Sequence, residues 1–271
     1  MTSLRAGMKD YYARRFGQAE SDFRGALKVV PDNTLALAYL NAAADKEGGT
    51  LELLSVQEEN AISADPTSYV NHIRLAFTYI AQSLAGRERN VQIREELATA
   101  AGINAHAQAA HVGLGIIRYN EGSMNSAKAE FLAALRDDPN NVLAREYLGQ
   151  IYQSALDDPQ RALSYVIPIV NLVPDYADIH FHIGSILYDL KQSREAIRYV
   201  TTGLELDTGH VSAAGEYGYT LLGRIFIEEH KLDDARRVLN VAVRNKTDAP
   251  YAKILLEKIS KGQYDRKPAG T

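Results

Sequence analysis

The chain has 271 residues, 46% hydrophobic and 24% charged, with a formal net charge of -4, sixteen tyrosines, and neither cysteine nor tryptophan. This composition is that of a folded protein and excludes intrinsic disorder, while the missing thiols exclude disulfides, thiolate zinc sites, iron–sulfur clusters and a cysteine nucleophile. Mild acidity argues against nucleic-acid binding, and roughly 150 residues per domain leaves either two globular domains or one elongated array.

Regularly spaced residues divide the chain. Pro31, Pro66, Pro139 and Pro174 are separated by 35, 73 and 35 residues; Gly115, Gly149, Gly184 and Gly223 by 34, 35 and 39; Ala127, Ala162, Ala196 and Ala235 by 35, 34 and 39. Two of these rulers lengthen in the same unit, which predicts an insertion near His210 to Tyr217 and an intact register on either side. A period of this length is the signature of a repeat array. Each unit reads as two amphipathic helices joined by a short turn. In the third unit the turn from Gln82 to Asn90 is enlarged and polar, and the second helix, Asn90 to Ala101, lacks an aromatic residue and a closing proline.

In the fifth unit the predicted helices are Val142 to Ser154 and Gln160 to Val173. Between them Leu156-Asp157-Asp158-Pro159 supplies an acidic N-cap followed by proline, whose missing N–H costs nothing in a first helical turn. Pro31-Asp32-Asn33, Asp65-Pro66-Thr67-Ser68 and Asp138-Pro139-Asn140-Asn141 read the same way. Because every acidic pair falls at a helix boundary, these carboxylates are expected to cap helices rather than to catalyse or bind metal. Pro250 to Tyr264 is expected to close the array, with Tyr251, Ile254, Leu255 and Ile259 inward and Lys253, Glu257, Lys258 and Lys261 outward. From Lys246 onward six basic residues face three acidic ones, a balance of +3 that leaves about -7 on the rest (-4 minus 3); it reads as a solvated helix face with a frayed end.

These residues resemble the tetratricopeptide repeat, whose pattern is Trp-x2-Leu-Gly-x2-Tyr, then Ala-x3-Phe, then Pro. Leu148-Gly149-x2-Tyr152 leads to Ala162 and Pro174, Leu114-Gly115 to Ala127-x3-Phe131 and Pro139, and Leu222-Gly223-x2-Phe226 to Ala235-x3-Leu239. Ala19-x3-Phe23 with Pro31 marks the first unit, Leu75-Ala76-x2-Tyr79 the third, and Ile183-Gly184 with Ala196-x3-Val200 the sixth. The family's tryptophan is absent throughout, and the second unit has Asn41 for the glycine and Glu58 for the aromatic residue. The resemblance covers nearly the whole chain and implies an all-α fold, a right-handed superhelical α-solenoid of stacked antiparallel helix pairs. About seven hairpins would occupy 1–247, the third degenerate around 67–104, followed by a capping helix at 248–264 and a flexible tail at 265–271.

In that family the first helix of each hairpin lines the concave face, where residues at i, i+4 and i+7 share one stripe. The stripes are Ile73, Phe77 and Ile80; Val112, Ile116 and Tyr119; Glu146, Gln150 and Gln153; Phe181, Ser185 and Tyr188; and Thr220, Arg224 and Ile227. Phe77, Tyr119, Glu146, Gln150, Gln153, Phe181, Tyr188 and Arg224 are the candidate peptide-binding residues, aromatic anchors with amides for backbone bonding. Tyr11 and Tyr12 belong either to the same groove or to an exposed end. The corresponding face offers Leu4 and Met8, then Ala38 and Ala42, which argues against the carboxylate clamp used for chaperone C-termini.

Histidine offers no chelating pair: His106 and His111 lie about 140° apart on a helix, and His180 and His182 about 200°. His72, His111 and His180 recur where the family often carries tryptophan, so a packing role is expected. No catalytic, phosphate-loop or calcium-loop motif is present, hence no catalytic, cofactor or metal residue is expected. The resemblance therefore implies a non-enzymatic adaptor that binds a peptide or partner protein, in a larger bacterial assembly of pilus, secretion or envelope type. A self-assembling scaffold that forms homo-oligomers is the rival, and a module of a multi-subunit enzyme has no supporting feature. No stretch approaches the roughly 18 apolar residues of a membrane span, and Met1 to Asp10 does not read as a signal peptide. A soluble protein is expected, cytoplasmic by default, although a mature periplasmic or envelope-associated chain would read identically.

Overall fold

The computed structural model describes residues 2–48, 51–212, 214–245 and 249–264. The expected tail at 265–271 lies outside them. Among the described residues there are fifteen α-helices and no strand. The chain divides into two compact units, Met1–Asp175 and Tyr176–Thr271.

The first unit contains five hairpins: α1 (Thr2–Tyr12) with α2 (Phe16–Val29), α3 (Thr34–Lys46) with α4 (Leu51–Ala64), α5 (Tyr69–Leu84) with α6 (Asn90–Ile103), α7 (Gln108–Asn120) with α8 (Met124–Asp137), and α9 (Val142–Gln150) with α10 (Pro159–Leu172). The second contains α11 (Ala177–Asp189) with α12 (Ser193–Leu206), α13 (Gly218–Glu228) with α14 (Leu232–Asn245), and the closing helix α15 (Ala249–Ser260). Fourteen repeat helices and a cap are thus present, the enlarged turn of the third unit falls between α5 and α6, and the insertion is the loop from Asp207 into a 3-10 turn at Gly215–Tyr217.

Within a hairpin the two helices touch where the first carries no side chain. A Cβ on Gly115 would lie 2.6 Å from the Phe131 ring, one on Gly184 2.4 Å from Val200 Cγ2, one on Gly223 2.5 Å from Leu239 Cδ2, and one on Gly7 2.7 Å from the Phe23 ring. Phe23, Phe131, Val200 and Leu239 are completely buried as a result. Each knob follows its glycine by sixteen residues, so a single spacing generates the same close contact in four hairpins.

Asn33, Asn141 and Asp158 cap α3, α9 and α10 by accepting from the N–H groups of Ala36, Ala144 and Arg161 at 2.9, 2.9 and 3.0 Å, and Pro159 opens α10 as expected. Elsewhere the acidic residues act one step earlier than expected. Asp138 accepts from Asn140 N–H at 3.0 Å and Asp65 from Thr67 N–H at 3.1 Å, closing the turn that precedes the helix. The first helix of the fifth unit also differs from expectation: α9 stops at Gln150 and continues as a π-helical turn, Ile151–Ala155.

Every turn inside a hairpin has one residue with left-handed backbone: Arg14, Gly48, Gly86, Gly122, Asp157, Lys191 and His230. The chain reverses there because the following N–H reaches back into the helix, as Ser123 N–H does to Arg118 O at 2.8 Å and Gln192 N–H to Leu187 O at 2.9 Å. Glycine adopts this conformation freely, whereas a Cβ costs about 1–2 kcal/mol.

The capping helix α15 buries Ala252, Leu255 and Ile259. Tyr251 and Ile254, expected inward, are 39% and 48% exposed, because the inward arc of this helix is already filled by those three residues with Leu256 beside them. On α11, both ring nitrogens of His182 are buried without a hydrogen bond, and desolvation lowers its pKa to about 4.

Two measurements follow from these features. Lys191→Gly should raise the unfolding free energy by about 1 kcal/mol and Gly122→Ala should lower it by a similar amount, read as opposite shifts of the urea midpoint; equal midpoints would contradict the assigned turns. His182 stays neutral in the fold, but the unfolded chain takes up a proton below its ordinary pKa of 6.5. Stability should therefore fall between pH 6.5 and about 4, by on the order of 2–3 kcal/mol, and His182→Leu should flatten that part of a melting-temperature profile.

Candidate functional site

In the first unit, the residues expected along the first-helix stripe are largely interior. Ile73, Phe77 and Ile80 on α5 and Val112 and Ile116 on α7 are buried, as is Glu146 on α9; Tyr119, Gln150 and Gln153 are half-buried. The first helices pack on one another here, α3 on α5, α5 on α7 and α7 on α9, and α3 also packs against α9. Phe77 therefore serves the core, and the groups left at the surface are Tyr119 and the two glutamines.

Tyr119 is held by a chain of ring contacts that starts at the glycine knob. Phe131, seated against Gly115, stacks on Tyr147 at 5.0 Å and 11°, and Tyr147 meets Tyr119 edge to face at 5.1 Å. Burial raises the pKa of both tyrosines, so each keeps its hydroxyl proton at neutral pH. Tyr147 follows Glu146 by one residue, outside the i, i+4, i+7 pattern that selected the candidates. Tyr11 and Tyr12 are neither in a groove nor at an exposed end: both are buried in an aromatic cluster with Phe16, Phe23 and Tyr39, and the Tyr12 and Tyr39 hydroxyls are 2.9 Å apart.

Sequence reasoning missed a polar seam in this unit. Asn141, while capping α9, also accepts from Thr34 Oγ1 at 3.3 Å and donates to Gln108 Oε1, and Gln108 Nε2 donates to Asp32 O at 3.4 Å. Arg5 Nε donates to Asp175 Oδ2 at 2.6 Å, with Lys9 Nζ 3.7 Å from Oδ1. Such contacts join residues up to 170 positions apart and leave no local pattern.

In the second unit Phe181 is buried because three glycines surround its ring, with Cβ positions at Gly203, Gly215 and Gly218 falling 2.8, 3.1 and 3.0 Å from it. The polar candidates, by contrast, converge. The guanidinium of Arg224, exposed on α13, lies 4.8 Å from the Tyr188 ring centroid and donates to its hydroxyl at 3.2 Å, and that hydroxyl donates to exposed Glu228. Lys191 Nζ stands 5.3 Å from the same ring. Burial and the Glu228 hydrogen bond raise the Tyr188 pKa, against the opposing pull of Arg224. The ring is fixed between helices and only 7% of Tyr188 is exposed, so the groups that a partner can reach are the charges of Arg224 and Glu228 that it orients.

The histidines pack between helices as expected. His72 Nδ1 on α5 is 2.6 Å from Glu96 of α6, His111 Nδ1 on α7 is 2.8 Å from Glu130 of α8, and His180 on α11 lies against the Tyr199 ring of α12 at 5.9 Å. Among the described residues no three ionisable side chains are placed to hold a metal, and no helix is long and apolar enough to cross a membrane.

A tetratricopeptide-repeat family model matches residues 177–210. Comparison with the curated proteins finds no match. Among solved structures, the Cut9 and Hcn1 hetero-tetramer of the APC/C matches with a TM-score of 0.65 and 16% identity over 89% of this chain and 43% of that one. The chain thus spans less than half the length of that protein. Pseudomonas aeruginosa pilF matches at 0.60 with 19% identity over 77% and 90%, and YrrB, described as a TPR protein with an unusual peptide-binding site, at 0.57 with 20% over 74% and 97%. Residues 177–210 are therefore a tetratricopeptide repeat, and the chain, with its seven hairpins and closing helix, has the fold of the tetratricopeptide-repeat solenoids.

Proposed function

We propose that this protein is an adaptor without catalytic activity that binds a peptide segment or partner protein through the first-helix faces of its repeats. The tetratricopeptide fold is in general a protein-interaction fold and not a catalytic one. The observation that carries the proposal is the group of Tyr188, Arg224 and Glu228 on neighbouring first helices, in which the buried ring is stiff and the two charges remain at the surface. Tyr119, Gln150 and Gln153 offer a second, more amide-rich patch in the first unit. Phe77, Glu146 and Phe181 support these surfaces from within. A setting in a bacterial pilus, secretion or envelope assembly is an analogy with similarly built proteins.

A second reading, self-assembly, is favoured by the half-exposed Tyr251 and Ile254 on α15, since an end helix that caps an array normally shows a polar outer face. Sedimentation across a wide concentration range tests it: Ile254→Lys should abolish any rise in mass, and a wild type that stays monomeric throughout ends this reading.

The main proposal is tested by partner capture with Tyr119→Ala, Tyr188→Phe and Arg224→Ala combined. Phenylalanine keeps the ring that packs between the helices and removes only the hydroxyl. Affinity should drop about tenfold or more, the effect of losing one or two hot-spot contacts, with helical circular dichroism unchanged. A folded variant that retains every partner at full strength refutes the first-helix face as the binding surface.

A further inference from the structure

We propose that the first unit is a closable groove, held shut by a polar clasp between its two ends that releases as one device. The clasp has two parts. One is the Asp175 carboxylate, only 11% exposed, gripped by Arg5 at 2.6 Å and approached by Lys9 at 3.7 Å from α1. The other is the seam where Asn141 bonds both Thr34 and Gln108 at the starts of α9, α3 and α7.

Three observations separate these contacts from the rest of the core. First, they are hydrogen bonds and ion pairs between residues 33 to 170 positions apart, whereas the close approach inside the hairpins at Gly7, Gly115, Gly184 and Gly223 is made by hydrocarbon knobs. Second, the Arg5 and Lys9 side chains are 48% and 61% exposed, so water and salt compete directly for Asp175. Third, the seam is not close-packed: a cavity of about 60 Å³, room for water, lies along it between Leu4, Val30, Leu35 and Val142 on one hand and Asn33 and Asn140 on the other. Opening is then a hinge motion of intact hairpins.

Release would also leave secondary structure intact. Asn141 caps α9 through Oδ1 to Ala144 N–H and Asn33 caps α3 likewise, and neither bond crosses the seam. Opening uncovers the first-helix stripe together with amide groups suited to peptide backbone. The gating role therefore rests on the binding surface proposed above, but the opening itself does not.

The chain has no cysteine, so spin labels can be placed on Val29→Cys and Asn140→Cys alone, two exposed positions flanking the seam. Their separation is read by electron–electron double resonance without any partner present. The unaltered clasp should give one short distance at low salt. Asp175→Arg, or about 1 M salt, where screening acts within ~3 Å, should add a longer population. Adding Arg5→Glu to Asp175→Arg should restore the short distance at unchanged helical circular dichroism. A single short distance in Asp175→Arg and at high salt overturns the clasp, as does a longer distance that comes with loss of helix. If the clasp opens as described while partner capture is indifferent to the groove variants, it is the binding-surface reading that falls.

Discussion

The structure depends on how closely two helices can approach inside a hairpin. At Gly7, Gly115, Gly184 and Gly223 the first helix presents bare backbone, and a residue sixteen positions later fills the space. The resulting contact is too tight for even a methyl group. Because interiors are packed to the density of organic crystals, a knob seated this way has one orientation, and everything resting on it inherits that order. The path from Gly115 through Phe131 of α8 and Tyr147 of α9 back to Tyr119 shows how an absent side chain on α7 orders a surface tyrosine one turn further along the same helix.

The same constraint sorts the candidate residues into support and surface. Phe181 sits among Gly203, Gly215 and Gly218, so its ring is structural, and Tyr188, two turns further along α11, is left to meet Arg224 and Glu228. In the first unit the first helices pack on one another, α3 reaches α9 as well, and hydrogen bonds from Asn141 to Thr34 and Gln108 join the starts of three of them. One repeat chemistry thus produces two kinds of first-helix face within one chain. The difference lies in what each face meets.

Polar residues at helix ends have double duty. Asn141 satisfies the orphan N–H groups of α9 and bridges Thr34 and Gln108, so a residue legible as a cap is also a long-range contact. His72 and His111 on first helices each meet a carboxylate of the second helix of the same hairpin, Glu96 and Glu130.

What the sequence by itself determined was everything carried by spacing along the chain. The 34- to 35-residue rulers, the glycine and its knob, the enlarged turn of the third unit, the insertion before Gly215 and the terminal helix were all legible, because helix periodicity, turn chemistry and hairpin contacts are local. The candidate site was legible only in part. An i, i+4, i+7 stripe identifies one face of a helix without saying what lies over it, so Phe77 and Phe181 looked like Tyr188, and Tyr251 and Ile254 on α15 looked like core. The pairing of Arg5 with Asp175 and the seam at Asn141 belong to the tertiary structure alone, since they join residues 170 and 107 apart through single polar atoms whose meeting is set by the accumulated angles of the hairpins between them.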